Sequence, residues 1–108
     1  MAFAYVWDVL KANLSAGDMV PNWTALRGKI GAPFKIKEVS DTAVLVGPPG
    51  ARSLQRVLRA DFKVVYDRWD EYTRGKMRRA DFNPVTRHSK YVISILHRLE
   101  GQLGGRLP

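Results

Sequence analysis

Pro33-Phe34-Lys35-Ile36-Lys37-Glu38-Val39, then Ser40-Asp41, then Thr42-Ala43-Val44-Leu45-Val46 is the stretch that decides the fold. Phe34 and Ile36 alternate with Lys35 and Lys37, and a strand turns every second side chain to the same face. The run from Thr42 to Val46 is nearly all apolar and carries β-branched residues, which suit a strand covered by other structure. Ser40-Asp41 supplies a tight turn between them, so the two runs read as an antiparallel hairpin. Gly47-Pro48-Pro49-Gly50 then stops the second strand, because proline cannot donate to a strand ladder.

A lone hairpin is marginal in water and needs a third strand or a covering helix. Arg52, Leu54, Arg56 and Leu58 alternate and predict a strand at about 52–57. The same stretch also fits one long helix from Ser53, through Leu54, Val57, Leu58, Phe62, Val65, Trp69 and Tyr72. With the strand in place, a helix runs from about 60 to 73 and ends at Gly75. Upstream, Phe3, Val6, Trp7, Leu10 and Leu14 recur at helical spacing and predict an amphipathic first helix, closed near Gly17. After the break at Pro21-Asn22, the spacing of Trp23, Leu26 and Ile30 predicts a short helix that ends at Gly28 or Gly31. Downstream, Arg78 to Phe82 begins a helical turn that Asn83-Pro84 interrupts. A strong helix follows over 88–99, with Tyr91, Val92, Ile95, Leu96 and Leu99 on one face and Gly101 as its stop. Arg-Ala-Asp-Phe occurs at both 59–62 and 79–82. Each copy places Asp near a helix N-terminus, where the dipole favours negative charge, and turns Phe inward.

The expected fold is therefore α+β. An N-terminal helix and a small antiparallel sheet of two or three strands pack with a long helix and a C-terminal helical pair, an outline that admits a winged-helix-like end. One compact domain spans 1–100, and 101–108 is a Gly-rich flexible tail. The predicted core holds Phe3, Val6, Trp7, Leu10, Phe34, Ile36, Val44, Val46, Phe62, Val65, Trp69, Val92, Ile95, Leu96 and Leu99. A length of 108 residues suits one domain. With 45% apolar and 26% charged residues, the chain is neither disordered, collagen-like nor a disulfide scaffold. It has no cysteine, which removes disulfides, thiol catalysis and thiolate metal sites. Asp8 interrupts the apolar N-terminus, no basic segment precedes it, and no apolar run reaches the roughly 18 residues of a membrane span. A cytoplasmic protein without a membrane role is expected.

The net charge of +8 is unevenly spread. Residues 74–98 hold seven basic side chains (Arg74, Lys76, Arg78, Arg79, Arg87, Lys90 and Arg98) and one acidic, Asp81. Such clustering is the electrostatic footprint of a polyanion partner. The same window reads as helix, short helix, turn, helix, the outline of a helix-turn-helix with the 88–100 helix in the recognition position. Arg78, Arg79 and Arg87 would clamp phosphates at the turn. His88, Ser89 and Lys90 would present the anion-attracting N-terminus of the last helix. Ser94, His97 and Arg98 would follow along its solvent face. The candidate nucleic-acid contacts are thus Arg74, Lys76, Arg78, Arg79, Arg87, His88, Lys90 and Arg98. The blander reading is a solvated basic face on an interaction module.

Other motifs carry less. Gly28-Lys29-Ile30-Gly31 has the GxxG form of a KH-domain loop, but Pro33 and a strand follow it instead of a helix. Gly47-Pro48-Pro49-Gly50 lacks the Gly-Lys-Ser/Thr ending of a phosphate loop. His88 and His97 are nine residues apart and no ligand set accompanies them, so no metal site, catalytic residue or cofactor is expected. Asp67, Asp70 and Glu71 read as helix-surface ion-pair partners of Lys63, Arg68 and Arg74.

Asp61-Phe62, Tyr66, Trp69, Tyr72 and Gly75, followed by Ser89-Lys90-Tyr91-Val92-Ile93-Ser94-Ile95-Leu96, resemble a group of small bacterial α+β modules with a helix-turn-helix-like C-terminal end. Such modules occur alone on mobile elements, as integron-cassette-type proteins, and attached to restriction- or defence-type proteins. The resemblance spans about 33–100 and leaves out the first helix. It implies an α+β module and brings no catalytic residues. The functional expectation is a non-enzymatic DNA- or RNA-binding module. The alternative is a protein-interaction module, homodimeric in one version. The third is a small-molecule site lined by aromatics from Trp7, Trp23, Trp69, Tyr66 and Tyr72, although aromatics at helical spacing are more often core.

Overall fold

In the computed structural model, which describes residues 3–50 and 52–108, the chain begins with helix α1 (Phe3–Ala12) and three two-residue strands, β1 (Met19–Val20), β2 (Trp23–Thr24) and β3 (Gly28–Lys29). Strands β4 (Phe34–Val39), β5 (Ala43–Gly47) and β6 (Gln55–Leu58) follow, then helices α2 (Arg59–Tyr66) and α3 (Trp69–Thr73), a 3-10 turn at Arg79–Phe82, and helix α4 (Ser89–Leu103). Met1, Ala2 and Ala51 lie outside the described residues, so the start of the expected 1–100 domain does too.

The 33–46 stretch forms the expected hairpin. β4 pairs with β5, which pairs with β6, all antiparallel, in a sheet of order β1-β4-β5-β6. The fourth strand, β1, exceeds the expected two or three. It pairs Met19 with Lys35 and Val20 with Phe34, and is too short to show an alternation. Phe34, Ile36, Val44, Val46 and Val57 are fully buried on one sheet face. Burial of such side chains stabilises by roughly 1.5–3 kcal/mol each, so this face holds the sheet to the helices. Ser40 shapes the turn by accepting the Ala43 N–H at 3.2 Å.

α1, α2 and α4 cover that face. Phe3, Val6, Trp7 and Leu10 of α1 are buried, and the Trp7 ring lies 5.3 Å from Phe62. The Trp7 indole N–H donates to the Asp41 carbonyl at 3.0 Å, which ties α1 to the β4–β5 turn. Every residue of the predicted core is buried, and Val20, Val57, Tyr72, Phe82 and Ile93 join it. The two Arg-Ala-Asp-Phe copies solve the same local problem. Asp61 accepts the Leu58 N–H and Asp81 accepts the Arg78 N–H, each at 2.8 Å, while Phe62 and Phe82 point into the core. The first opens an α-helix; the second opens only the 3-10 turn.

Three expectations need correction. Residues 22–31 form the β2–β3 hairpin and not a helix. Gly28 and Gly31 have φ of +71° and +65°, a left-handed conformation in which glycine is unstrained and which ends strands as readily as helices. The Thr24 hydroxyl accepts the Arg27 N–H at 3.1 Å across the hairpin turn. The helix expected over 60–73 is divided at Asp67-Arg68 into α2 and α3. The final helix runs through Gly101 to Leu103 and stops at Gly104, φ +75°. There the Gly105 N–H bonds the Glu100 carbonyl and the Gly104 N–H bonds the Gly101 carbonyl, a Schellman ending. The segment expected as a flexible tail is thus partly helix, and its Leu107 is half-buried against the core.

Candidate functional site

The β2–β3 hairpin stands apart from the main sheet and is fastened by side chains. The Trp23 N–H donates to the Ser94 hydroxyl of α4, and the Ala25 N–H donates to the Tyr72 hydroxyl of α3, both at 3.0 Å. The Trp23 ring stacks on His97, with centroids 3.7 Å apart and planes within 2° of parallel. Burial beside Trp23 holds the His97 imidazole below its ordinary pKa; the nearby Glu100 carboxylate opposes this and the Lys29 ammonium adds to it. Burial also raises the Tyr72 and Tyr91 hydroxyls, so both stay neutral hydrogen-bonding groups near neutral pH.

Fixed in this way, the hairpin forms one wall of a groove. The other wall is α3, the 76–78 link and the 3-10 turn. The groove has a volume of about 700 Å³, an apolar floor that includes Ile30, Tyr72 and Met77, and Arg27, Arg74, Arg78 and Arg79 along its sides. A second concavity of about 350 Å³ adjoins it, with Asn22, Gly31, Pro48, Pro49, Lys90 and Tyr91 in its lining. Ile30 and Arg79 line both, so the two concavities adjoin across these side chains. Neither lining contains Asp or Glu. Arg74 pairs with Asp70 at 3.2 Å and Arg78 with Asp81 at 3.7 Å, at the solvent edge. Among the described residues Arg27, Arg79 and Lys90 form no ion pair.

The structure separates the eight candidate contacts. Arg74, Arg78, Arg79 and Lys90 line the groove, and Lys76 lies in the link between Gly75 and Met77. Arg87 is exposed and His88 half-buried just before α4, neither in the groove lining. Arg98 does different work: its guanidinium donates to the Asn13 carbonyl and pairs with Asp18, both at 3.2 Å, which clamps α4 to the α1–β1 connection. The expected recognition helix does not present a groove-reading face. Val92, Ile93, Ser94, Ile95 and Leu96 are buried in succession, because α4 is the central core helix. Ser94 and His97, expected on its solvent side, instead hold the hairpin.

Arg27, Ile30 and the 88%-exposed Leu26 were not among the sequence candidates. They reach the groove from more than forty residues upstream in the chain, and no local pattern marks that pairing. The aromatics do not share one cavity. Trp7 and Trp69 are buried, Trp23 is stacked on His97, and Tyr72 contributes only to the groove floor. Tyr66 and Trp69 border a separate recess of about 400 Å³ beside Leu107. Among the described residues, no helix is long and apolar enough to cross a membrane, and no three His, Cys, Asp or Glu side chains group as metal ligands. Comparison with known protein families, curated proteins and solved structures finds no match to this chain.

Proposed function

We propose that this chain binds nucleic acid, without catalysing a reaction on it, through the groove between the β2–β3 hairpin and the α3-to-α4 segment. The observation that supports this is a pair of adjoining concavities whose linings hold five cations (Arg27, Arg74, Arg78, Arg79 and Lys90) and no carboxylate, with Arg74 and Arg78 paired to Asp70 and Asp81 at the solvent edge. Low-dielectric walls strengthen the field of such charges and concentrate anions there. Phosphate contacts supply position and affinity, and they make binding depend on salt.

The test is fluorescence anisotropy of a labelled oligonucleotide titrated across salt. If Arg27, Arg78, Arg79 and Lys90 each neutralise a phosphate, log K falls against log salt with a slope of roughly −3 on a single strand and −3.5 on a duplex. Between 50 and 200 mM salt that is a loss of roughly 60- to 130-fold. Arg78→Ala with Arg79→Ala reduces the slope by about 1.5. An unchanged slope in that double variant would remove the assignment.

A second reading, a protein-interaction module, draws on the sheet face that the helices leave uncovered. Leu54 and Leu58 are 49% and 41% exposed there, on and beside the edge strand β6. A Leu58→Glu variant that abolishes concentration-dependent self-association in sedimentation would favour it; a monomer at all concentrations would count against its homodimeric version.

A further inference from the structure

We infer that the preferred ligand is a single strand, held with two neighbouring bases splayed to either side of Arg79 and their linking phosphate on its guanidinium. This rests on the nucleic-acid reading above and names the form of nucleic acid that the groove takes.

The argument starts from the division of the groove. Its two concavities meet at Ile30 and Arg79 and nowhere else in their linings. Arg79 is half-buried at that junction and, among the described residues, has no carboxylate partner. A cation between a mainly apolar hollow and a mixed one that offers Pro48, Pro49 and Tyr91 beside Asn22 and Lys90 matches the chemistry of a dinucleotide step: base face, anionic link, base face. The first hollow is lined by Leu26, Ile30, Tyr72 and Met77. Leu26 is 88% exposed on the hairpin turn and takes no part in the core, so its apolar surface is available to a ligand. Met77 adds a polarisable thioether, which adapts to flat rings.

The second hollow has Pro48, Pro49 and Tyr91, with the Lys90 ammonium 5.2 Å from the Tyr91 ring centre. Gly31 lines it too, and the space where a side chain would project from Gly31 is empty, which permits close approach of a ligand to the backbone. A duplex keeps its bases stacked inside and offers these hollows only phosphates. A single strand can turn its bases outward and stack them on protein side chains.

The experiment uses the full chain and four fluorescein-labelled probes about ten nucleotides long: oligothymidylate, oligouridylate, an abasic strand with the thymidylate backbone, and a duplex. Stacking of one base on an aromatic ring, here Tyr91, is worth roughly five-fold or more. The expected result is that the abasic strand and the duplex each bind at least roughly tenfold more weakly than oligothymidylate. The oligouridylate arm separates RNA from DNA as the source of the strand. Leu26→Ser, at an exposed position, weakens only the base-bearing strands, whereas Arg79→Gln weakens base-bearing and abasic strands alike. Equal binding of the abasic strand and oligothymidylate, with Arg79→Gln still weakening both, would overturn this inference and leave the nucleic-acid reading standing. No effect of Arg79→Gln on any probe would overturn this inference alone, and no binding of any probe would overturn both.

Discussion

Tyr72→Phe removes one oxygen and leaves the ring in the core. That oxygen accepts the Ala25 N–H at 3.0 Å, so the change strands a part-buried backbone donor at the turn of the β2–β3 hairpin. An unsatisfied donor of this kind costs about 1–3 kcal/mol. Ser94→Ala does the same to the Trp23 N–H, two residues earlier, also 3.0 Å from its acceptor. The second contact of Ser94, back to the Lys90 carbonyl in its own helix, adds little, since such bonds are close to neutral in a helix. Each variant should lose about 1–2 kcal/mol in urea unfolding, which is roughly 4–8 °C per kcal/mol for a domain near this size. Because both bonds hold the same short hairpin, the double variant should lose less than the sum. Native-state hydrogen exchange at the Trp23 and Ala25 amides should accelerate in both. Oligonucleotide affinity should fall while the salt slope stays the same, since a groove wall loosens but no cation is lost. Losses below about 0.5 kcal/mol in both single variants, with unchanged amide exchange, would refute this account of how the groove wall is held.

Further outcomes follow from the same geometry. Arg98→Met should cost about 0.5–1 kcal/mol through its lost pair with Asp18 and leave the oligonucleotide salt slope unaltered; a slope reduced by one unit would return Arg98 to the binding surface. His97 has a lowered pKa in the folded state, so the unfolded chain takes up a proton first as pH falls. Its contribution to stability is therefore complete above the ordinary value of 6.5 and declines as pH drops below it. Urea midpoints should fall on acidification from about pH 7.5 to 5.5, and less steeply in His97→Phe, which keeps the stack on Trp23 but cannot titrate. Asp61→Ala should destabilise by about 1 kcal/mol in urea unfolding, through the orphaned Leu58 N–H and the lost negative charge in the first turn of α2.

The sequence carries the fold best where one face of an element meets the core. Phe34 and Ile36 against Lys35 and Lys37 mark β4, and Phe3, Val6, Trp7 and Leu10 mark α1, because each pattern repeats for more than one turn or pleat. Residues 22–31 misled for a definite reason: Trp23, Leu26 and Ile30 happen to lie at helical spacing, yet Trp23 packs on α4, Leu26 faces solvent and Ile30 borders the groove. Two-residue strands are too short to show any period. Half of the candidate site was legible as the basic cluster at 74–90. The other half, Arg27 and Ile30, joins it through the fasteners from Tyr72, Ser94 and His97, which are long-range contacts. Ser94, His97 and Arg98 read as a polar helix face because their side chains are polar. Their partners, Trp23, Asn13 and Asp18, lie on the far side of the chain.

Backbone amide chemical-shift mapping with a ¹⁵N-labelled chain and an oligothymidylate strand tests the central claim most directly, because it reports where the ligand sits without altering any residue. The groove account predicts perturbations that cluster at residues 24–31 and 73–91, led by Arg27, Ile30 and Arg79, with the open sheet face at Lys35, Lys37 and Arg56 unmoved. Perturbations centred on that sheet face, or on the exposed end of α4 at Gln102 and Leu103, with the groove amides silent, would contradict it.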